Sequence, residues 1–153
     1  MAFSLKSNAF SETGMLPTKY TSDGADVSPQ LMWSEAPFNT KSFALIMDDP
    51  DKKSGMWVHW VLYDLPAAIL ELSEGVPCLE TLAHGGKQGS NDYKRIGYSG
   101  PNPPKGAPHR YFFKLYALDC LLNLEPRASK QDVEQAMQGH ILAECQLMGR
   151  YGR

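Results

Sequence analysis

Trp57-Val58-His59-Trp60-Val61-Leu62-Tyr63 is dominated by aromatic and β-branched residues, the composition of a pleated, mostly buried strand. Period two places Trp57, His59, Val61 and Tyr63 on one face, and Leu65-Pro66 closes the run. Upstream, Ser42-Phe43-Ala44-Leu45-Ile46-Met47 is a short apolar run of the kind a fully buried strand shows. Asp48-Asp49-Pro50-Asp51 ends it, because proline removes a ladder donor and pushes the residue before it into extended geometry. Downstream, Tyr111-Phe112-Phe113-Lys114-Leu115-Tyr116-Ala117-Leu118 reads as another central strand, with His109, Tyr111 and Phe113 sharing a face.

Around these strands the sequence is rich in turn chemistry. Asp23-Gly24, Ser28-Pro29 and Ala36-Pro37 punctuate short apolar pieces such as Leu31-Met32-Trp33. Residues 67–108 lack a regular pattern, and a connection that long usually carries function or short structure of its own. Ser129 is a good helix N-cap, and Asp132 is placed to complete a weak capping box. Val133, Ala136, Met137 and His140 or Ile141 follow at helical spacing. Beyond Gly139 the pattern fits either a continued helix or a strand over 145–151 with Cys145, Leu147 and Tyr151 inward. A short helix to about residue 142 and a closing strand after it are expected.

The 153 residues suit one domain spanning 1–153. Thirteen glycines and eleven prolines, about 16% of the chain against a usual share of roughly 12%, favour many tight connections between short elements. Fifteen basic and seventeen acidic side chains leave a net charge of −2, too weak a field for broad nucleic-acid binding. Cys78, Cys120 and Cys145 are odd in number and widely spaced, which argues against a disulfide framework and offers no C-x-x-C zinc pair. Neither a signal-peptide core nor a membrane-spanning apolar stretch is present, so a cytoplasmic location is expected.

The sequence holds no P-loop, H-E-x-x-H or G-x-G-x-x-G pattern. Gly97-Tyr98-Ser99-Gly100-Pro101 resembles a nucleophile elbow, but Pro101 stands where the second glycine should be. More informative are polar residues at the ends of otherwise buried strands: Asp49 and Asp51, His59, then His109 with Tyr111. If the strands are neighbours, these groups converge on one pocket suited to a phosphate or carboxylate. Gly- and Pro-rich backbone at 100–108 would form its rim. Taken singly, each has a plainer reading. A lone strand histidine is most often a satisfied core residue, Asp49 and Asp51 flanking a proline are turn formers, and Arg110 pairs with a carboxylate such as Asp51.

Together these motifs resemble those of phosphatidylethanolamine-binding proteins. The resemblance rests on Asp49-Pro50-Asp51, Gly55-x-Trp57-x-His59-Trp60, and Gly100-Pro101-x-Pro103-Pro104-x-Gly106-x-x-His109-Arg110-Tyr111. Tyr20-Thr21-x-Asp23-Gly24-x-Asp26-x-Ser28-Pro29, Trp33 and Gly139-His140-Ile141-Leu142-Ala143-Glu144 extend it over nearly the whole chain. It is closest to the bacterial and archaeal branch described as Raf-kinase-inhibitor-like.

The resemblance implies a mainly β fold: a sandwich of two antiparallel sheets with a few short helices and one small anion pocket. Its pocket residues map onto Asp49, His59, His109 and Tyr111, with Asp51 and Arg110 supporting and Trp57, Gly100, Pro103 and Pro104 as walls and rim. No cofactor and no metal are implied. Expected ligands are small anionic or zwitterionic groups such as phosphate, phosphoethanolamine or acetate. A protein partner regulated through the pocket and a homodimer are further family-based expectations; nucleic acid is not. Two alternatives use the same residues: a metal-dependent phosphoester hydrolase built on His59, His109 and Asp49, and a kinase or protease inhibitor module. Lys52-Lys53 stands where Ala-Pro often follows the D-P-D motif, and the C-terminal helical sequence of eukaryotic members does not follow Arg153, so kinase regulation carries over poorly.

Overall fold

The computed structural model describes residues 2–153. A three-stranded antiparallel sheet holds β1 (Ser4–Lys6), β2 (Leu31–Ser34) and β5 (Glu71–Leu72) in that order. A five-stranded antiparallel sheet runs β6 (Lys87–Gln88), β4 (Trp57–Pro66), β3 (Ser42–Asp49), β7 (His109–Leu118), β8 (Ile141–Tyr151). One α-helix, α1 (Lys130–Met137), and a 3-10 turn at Thr18–Tyr20 complete the elements. The expected mainly β sandwich of two antiparallel sheets is therefore what the chain forms.

Both faces of the large sheet are covered, which explains why β3 reads as an unbroken apolar run. Phe43, Leu45, Met47, Trp60, Leu62 and Phe113 pack between the sheets against Leu5, Leu31, Trp33 and Leu72. On the opposite face Ala44, Ile46, Val58, Val61 and Tyr63 pack beneath Val133 and Met137 of α1. The helix starts where expected: Ser129 and Asp132 form a reciprocal capping box. It stops at Met137, not near 142, because Gly139 turns the chain at φ +80° and the His140 N–H bonds back to the Met137 carbonyl at 2.9 Å. The closing strand accordingly begins at Ile141.

The strict period-two reading of β4 also fails. Met47 lies opposite Trp60 and Asp48 opposite Val58, so His59 is the extra residue of a β-bulge. The bulge resets the alternation. Val61 and Tyr63 join the helix-side cluster, while His59 stays on the side of Tyr111, whose ring centroid is 5.3 Å away. An inner strand of the sheet thus turns one polar side chain toward the end where the β3–β4 and β7 loops meet.

The sequence between β5 and β7 contributes β6 and the isolated bridges Thr81–Lys87 and Ser90–Ile96. Asn91 organises its middle. Its Oδ1 accepts the Tyr93 and Arg95 N–H groups, and its Nδ2 donates to the Gly97 carbonyl and Ser99 Oγ.

Candidate ligand-binding site

The ends of β3, β4 and β7 and the loops that carry Lys52, Tyr93 and Asn102 close a small cleft. Asp49, Lys52, Trp57, His59, Tyr93, Asn102, Pro103, Pro104, His109 and Tyr111 line it. Larger grooves exist elsewhere, one of about 720 Å³ beside β1 and β8 and one of about 800 Å³ beside Lys53 and Arg150. Neither gathers buried imidazole, indole and phenol groups as the small cleft does. Its free volume is about 10 Å³, the room of about one water. A larger group enters only as the wall side chains part.

Asp49 ends β3 nearly buried, at 3% exposure, and both its oxygens are already engaged. Oδ2 accepts from His109 Nδ1 at 2.7 Å, and Oδ1 accepts the Asp51 N–H at 2.7 Å. This carboxylate therefore fixes the His109 tautomer: with Nδ1–H given to Asp49, Nε2 is the atom left for a ligand. Asp51 lies outside the cleft and locks the loop. It accepts the Arg110 backbone N–H at 2.8 Å and both arms of the guanidinium, Nε at 2.9 Å and Nη2 at 2.8 Å. That fork holds the Asp51 carboxyl below its ordinary range.

His59 is buried at 2% exposure, and its Nδ1 faces the Ser99 carbonyl at 2.6 Å. Burial lowers its pKa from the ordinary histidine value, with the Ser99 carbonyl opposing in part. At neutral pH the ring is thus uncharged with Nδ1–H bonded to Ser99, and its free Nε2 offers a lone pair. That nitrogen accepts a hydrogen bond and has none to give. Burial, then the Asp49 charge, raises the Tyr111 hydroxyl, and burial raises that of Tyr93, so both keep their protons. Trp57 supplies a second kind of donor: its Nε1–H is buried and makes no hydrogen bond of good geometry, the Tyr93 hydroxyl beside it being its one neighbouring acceptor. Lys52 Nζ stacks 4.5 Å from the centroid of the same indole, a cation–π contact at the cleft mouth.

The sequence profile of the family described as phosphatidylethanolamine-binding protein matches residues 6–152. The chain belongs to the phosphatidylethanolamine-binding protein family. A UPF0098 protein of Methanothermobacter thermautotrophicus is 51% identical over 149 residues, covering 97% of this chain and 98% of that one. A UPF0098 protein of Aquifex aeolicus is 48% identical, covering 96% of this chain and 86% of that one. Among solved structures, a phosphatidylethanolamine-binding protein homologue from Chlamydia trachomatis superposes with a TM-score of 0.90 at 39% identity, covering 99% and 98% of the two chains. E. coli YbcL, described as a new member of the mammalian family, superposes at 0.92 with 30% identity, covering 100% and 99%.

In this phosphatidylethanolamine-binding protein family member the sequence motifs place Asp49, Trp57, His59, Pro103, Pro104, His109 and Tyr111 around one cleft. Gly100 is not among the lining residues. It packs against Tyr20 and Thr21 and gives its N–H to Asp26 Oδ1 at 2.8 Å, so it shapes the loop behind the cleft. Arg110 and Asp51 face the outer groove. Tyr93 and Asn102 line the cleft without having been marked in the sequence; the Asn91 turn that aims Tyr93 is a weak local signal for it. Asp49, His59 and His109 do not form a three-donor cluster of metal-binding dimensions among the described residues. Among the described residues no helix is long and apolar enough to cross a membrane.

Proposed function

We propose that this protein binds a small phosphate- or carboxylate-bearing ligand in the cleft between Trp57, His59, His109 and Tyr111. One observation carries the reading: Trp57, whose buried indole N–H lacks a well-formed hydrogen bond, lines the same cleft as a protonated phenol and two histidines. A buried donor left unpaired costs roughly 1–3 kcal/mol, which an anionic oxygen would recover. His59 refines the ligand. Its uncharged ring accepts a hydrogen bond, so the best match is a phosphate group that still carries one proton. That group donates to His59 Nε2 and accepts from Trp57 Nε1–H and Tyr111 O–H. The Asp49 carboxylate is fully used by the chain and serves to position His109.

A protein partner that displays the phosphate is the second reading, and one feature favours it. The outer groove beside His109 is lined by Lys52, Lys53, Lys105, Arg110 and Arg150, which would hold acidic groups flanking the phosphate.

Calorimetric titration with O-phosphoethanolamine and with inorganic phosphate tests the binding reading. Saturable one-to-one binding in the wild type, weakened at least tenfold in Tyr111→Phe, is expected. Equal affinity in the two proteins overturns the assignment of the cleft. A phosphoserine peptide with acidic flanks that binds no better than O-phosphoethanolamine removes the second reading.

A further inference from the structure

At the far end of β7 from the cleft, three side chains with different donor atoms come together. Asp119 and Cys120 follow the last residue of β7, and His140 precedes the first residue of β8. A carboxylate oxygen, the Cys120 sulfur and a ring nitrogen of His140 all lie within 4.8 Å of one another. From these we propose a second binding site, for a late first-row divalent cation, foremost Zn²⁺, held by Asp119, Cys120 and His140.

The backbone holds the three donors in place before any cation arrives. The Asp119 N–H bonds to the His140 carbonyl at 3.0 Å, so the two loop ends are already paired. Ser42 Oγ donates to the Cys120 carbonyl at 2.6 Å, which anchors the cysteine to the start of β3. Gly139, at φ +80°, makes the turn that presents the imidazole, and the His140 N–H returns to the Met137 carbonyl at 2.9 Å. Asp119 Oδ1 and His140 Nδ1 stand 2.8 Å apart, a hydrogen bond that the cation would replace, with the ring proton carried on Nε2 of the neutral imidazole.

Tetrahedral zinc with bonds of roughly 2.0–2.3 Å spaces its ligand atoms roughly 3.3–3.8 Å apart. The aspartate–histidine pair has to open by about 1 Å and the thiol to close by a similar amount, changes within reach of side-chain rotation. Donor softness selects the class of metal. Thiolate with imidazole favours zinc, cobalt, nickel and copper, whereas magnesium and calcium call for an all-oxygen cage. Both Asp119 and His140 are exposed, so an ion can reach them and a water can take the fourth position. The Cys120 thiol gives up its proton as the sulfur binds the cation. The cation would staple the β7 and β8 ends, roughly 30 Å along β7 from His109.

The test uses tag-free, reduced, full-length protein titrated with Co²⁺ and followed for the thiolate-to-cobalt charge-transfer band. One equivalent should develop the band in the wild type and in Cys78→Ser, and none should develop it in Cys120→Ser. Saturating Zn²⁺ should raise the melting temperature of the wild type and leave Cys120→Ser unmoved. His140→Gln should weaken Co²⁺ binding at least tenfold. Alkylation mapped by mass spectrometry needs no variant: Zn²⁺ should protect Cys120 and leave Cys78 reactive. Absence of the band in the wild type, its survival in Cys120→Ser, or equal alkylation of Cys120 with and without Zn²⁺ overturns the site.

Discussion

His109 and Asp49 meet across neighbouring strands, with the imidazole Nδ1 2.7 Å from a carboxylate oxygen whose residue is 3% exposed. The second oxygen of that carboxylate holds the Asp51 N–H, and Asp51 in turn grips Arg110. Position therefore passes inward from a surface ion pair to the imidazole that lines the cleft. The surface pair itself is worth little in stability, because water screens it. Its value lies in fixing the loop between β3 and β4.

Asp49→Asn keeps the size of the side chain and replaces one acceptor by a donor. Either the Asp51 N–H or the His109 Nδ1–H then faces an N–H group. Losing a hydrogen bond to a charged group costs about 1.5–3 kcal/mol, so affinity for O-phosphoethanolamine should fall roughly tenfold to a hundredfold. Calorimetry gives the number. Unchanged affinity would show that His109 needs no positioning by this carboxylate.

Trp57→Phe removes the poorly bonded indole N–H and keeps an aromatic wall. Stability should stay level or rise by up to ~1 kcal/mol, because a buried donor without a well-formed hydrogen bond is deleted. Phosphate affinity should drop at least tenfold, since a charge-assisted hydrogen bond is lost. Stability and affinity thus move in opposite directions. Urea unfolding beside calorimetry reads both; a parallel loss of the two would mark Trp57 as a packing residue only.

The pH dependence of stability follows from His59. Burial lowers its folded-state pKa below the unfolded value, which lies near ~6.5. Between those two values the unfolded chain binds more protons, so stability is flat above about pH 7 and falls as pH drops through ~6.5 toward the folded pKa. His84, also lowered by burial, acts with the same sign. Asp51 and Glu74, lowered by Arg110 and Lys19, lose their contribution only at more acid pH. Denaturant unfolding at several pH values should therefore show a shallower slope in His59→Gln than in the wild type over this window. Identical slopes would mean that His59 is not held uncharged.

The main strands of the large sheet were legible because period-two patterning and strand-ending prolines are local signals, whereas most of the cleft was legible only through motifs that resemble the family's. The side reached by Val61 and Tyr63 was not, since a bulge at His59 depends on how β3 pairs with β4 and leaves no mark in either strand alone. Tyr93 was hidden for a related reason. It reaches the cleft through a loop folded around Asn91, and nothing in its own neighbourhood says which strand end that loop meets. The helix end was misread by apolar spacing that continues past Met137, where Gly139 overrides it. Gly100 belongs to a motif that suggests contact with a ligand, yet its place is one layer behind.

That layer gives the last prediction. A Cβ at Gly100 would fall 2.3 Å from the Tyr20 carbonyl oxygen and 2.6 Å from Asp26 Oδ1. The Gly100 N–H bond to Asp26 and the Ser99 carbonyl that orients His59 belong to the same turn. Gly100→Ala must displace this backbone, at a cost of roughly 1–3 kcal/mol for overpacking. The displacement carries Ser99 away from His59 Nδ1 and shifts Pro103 and Pro104 on the cleft wall. Phosphate affinity should fall together with stability, although position 100 touches no ligand. Gly106→Ala is the comparison: a Cβ there meets nothing within 4 Å, and the strain of its φ of +137° is local to the exposed loop. Thermal unfolding and calorimetry on both variants should separate them, with Gly100→Ala losing affinity and Gly106→Ala retaining it. Full binding in Gly100→Ala would show that the loop behind the cleft does not set the position of His59.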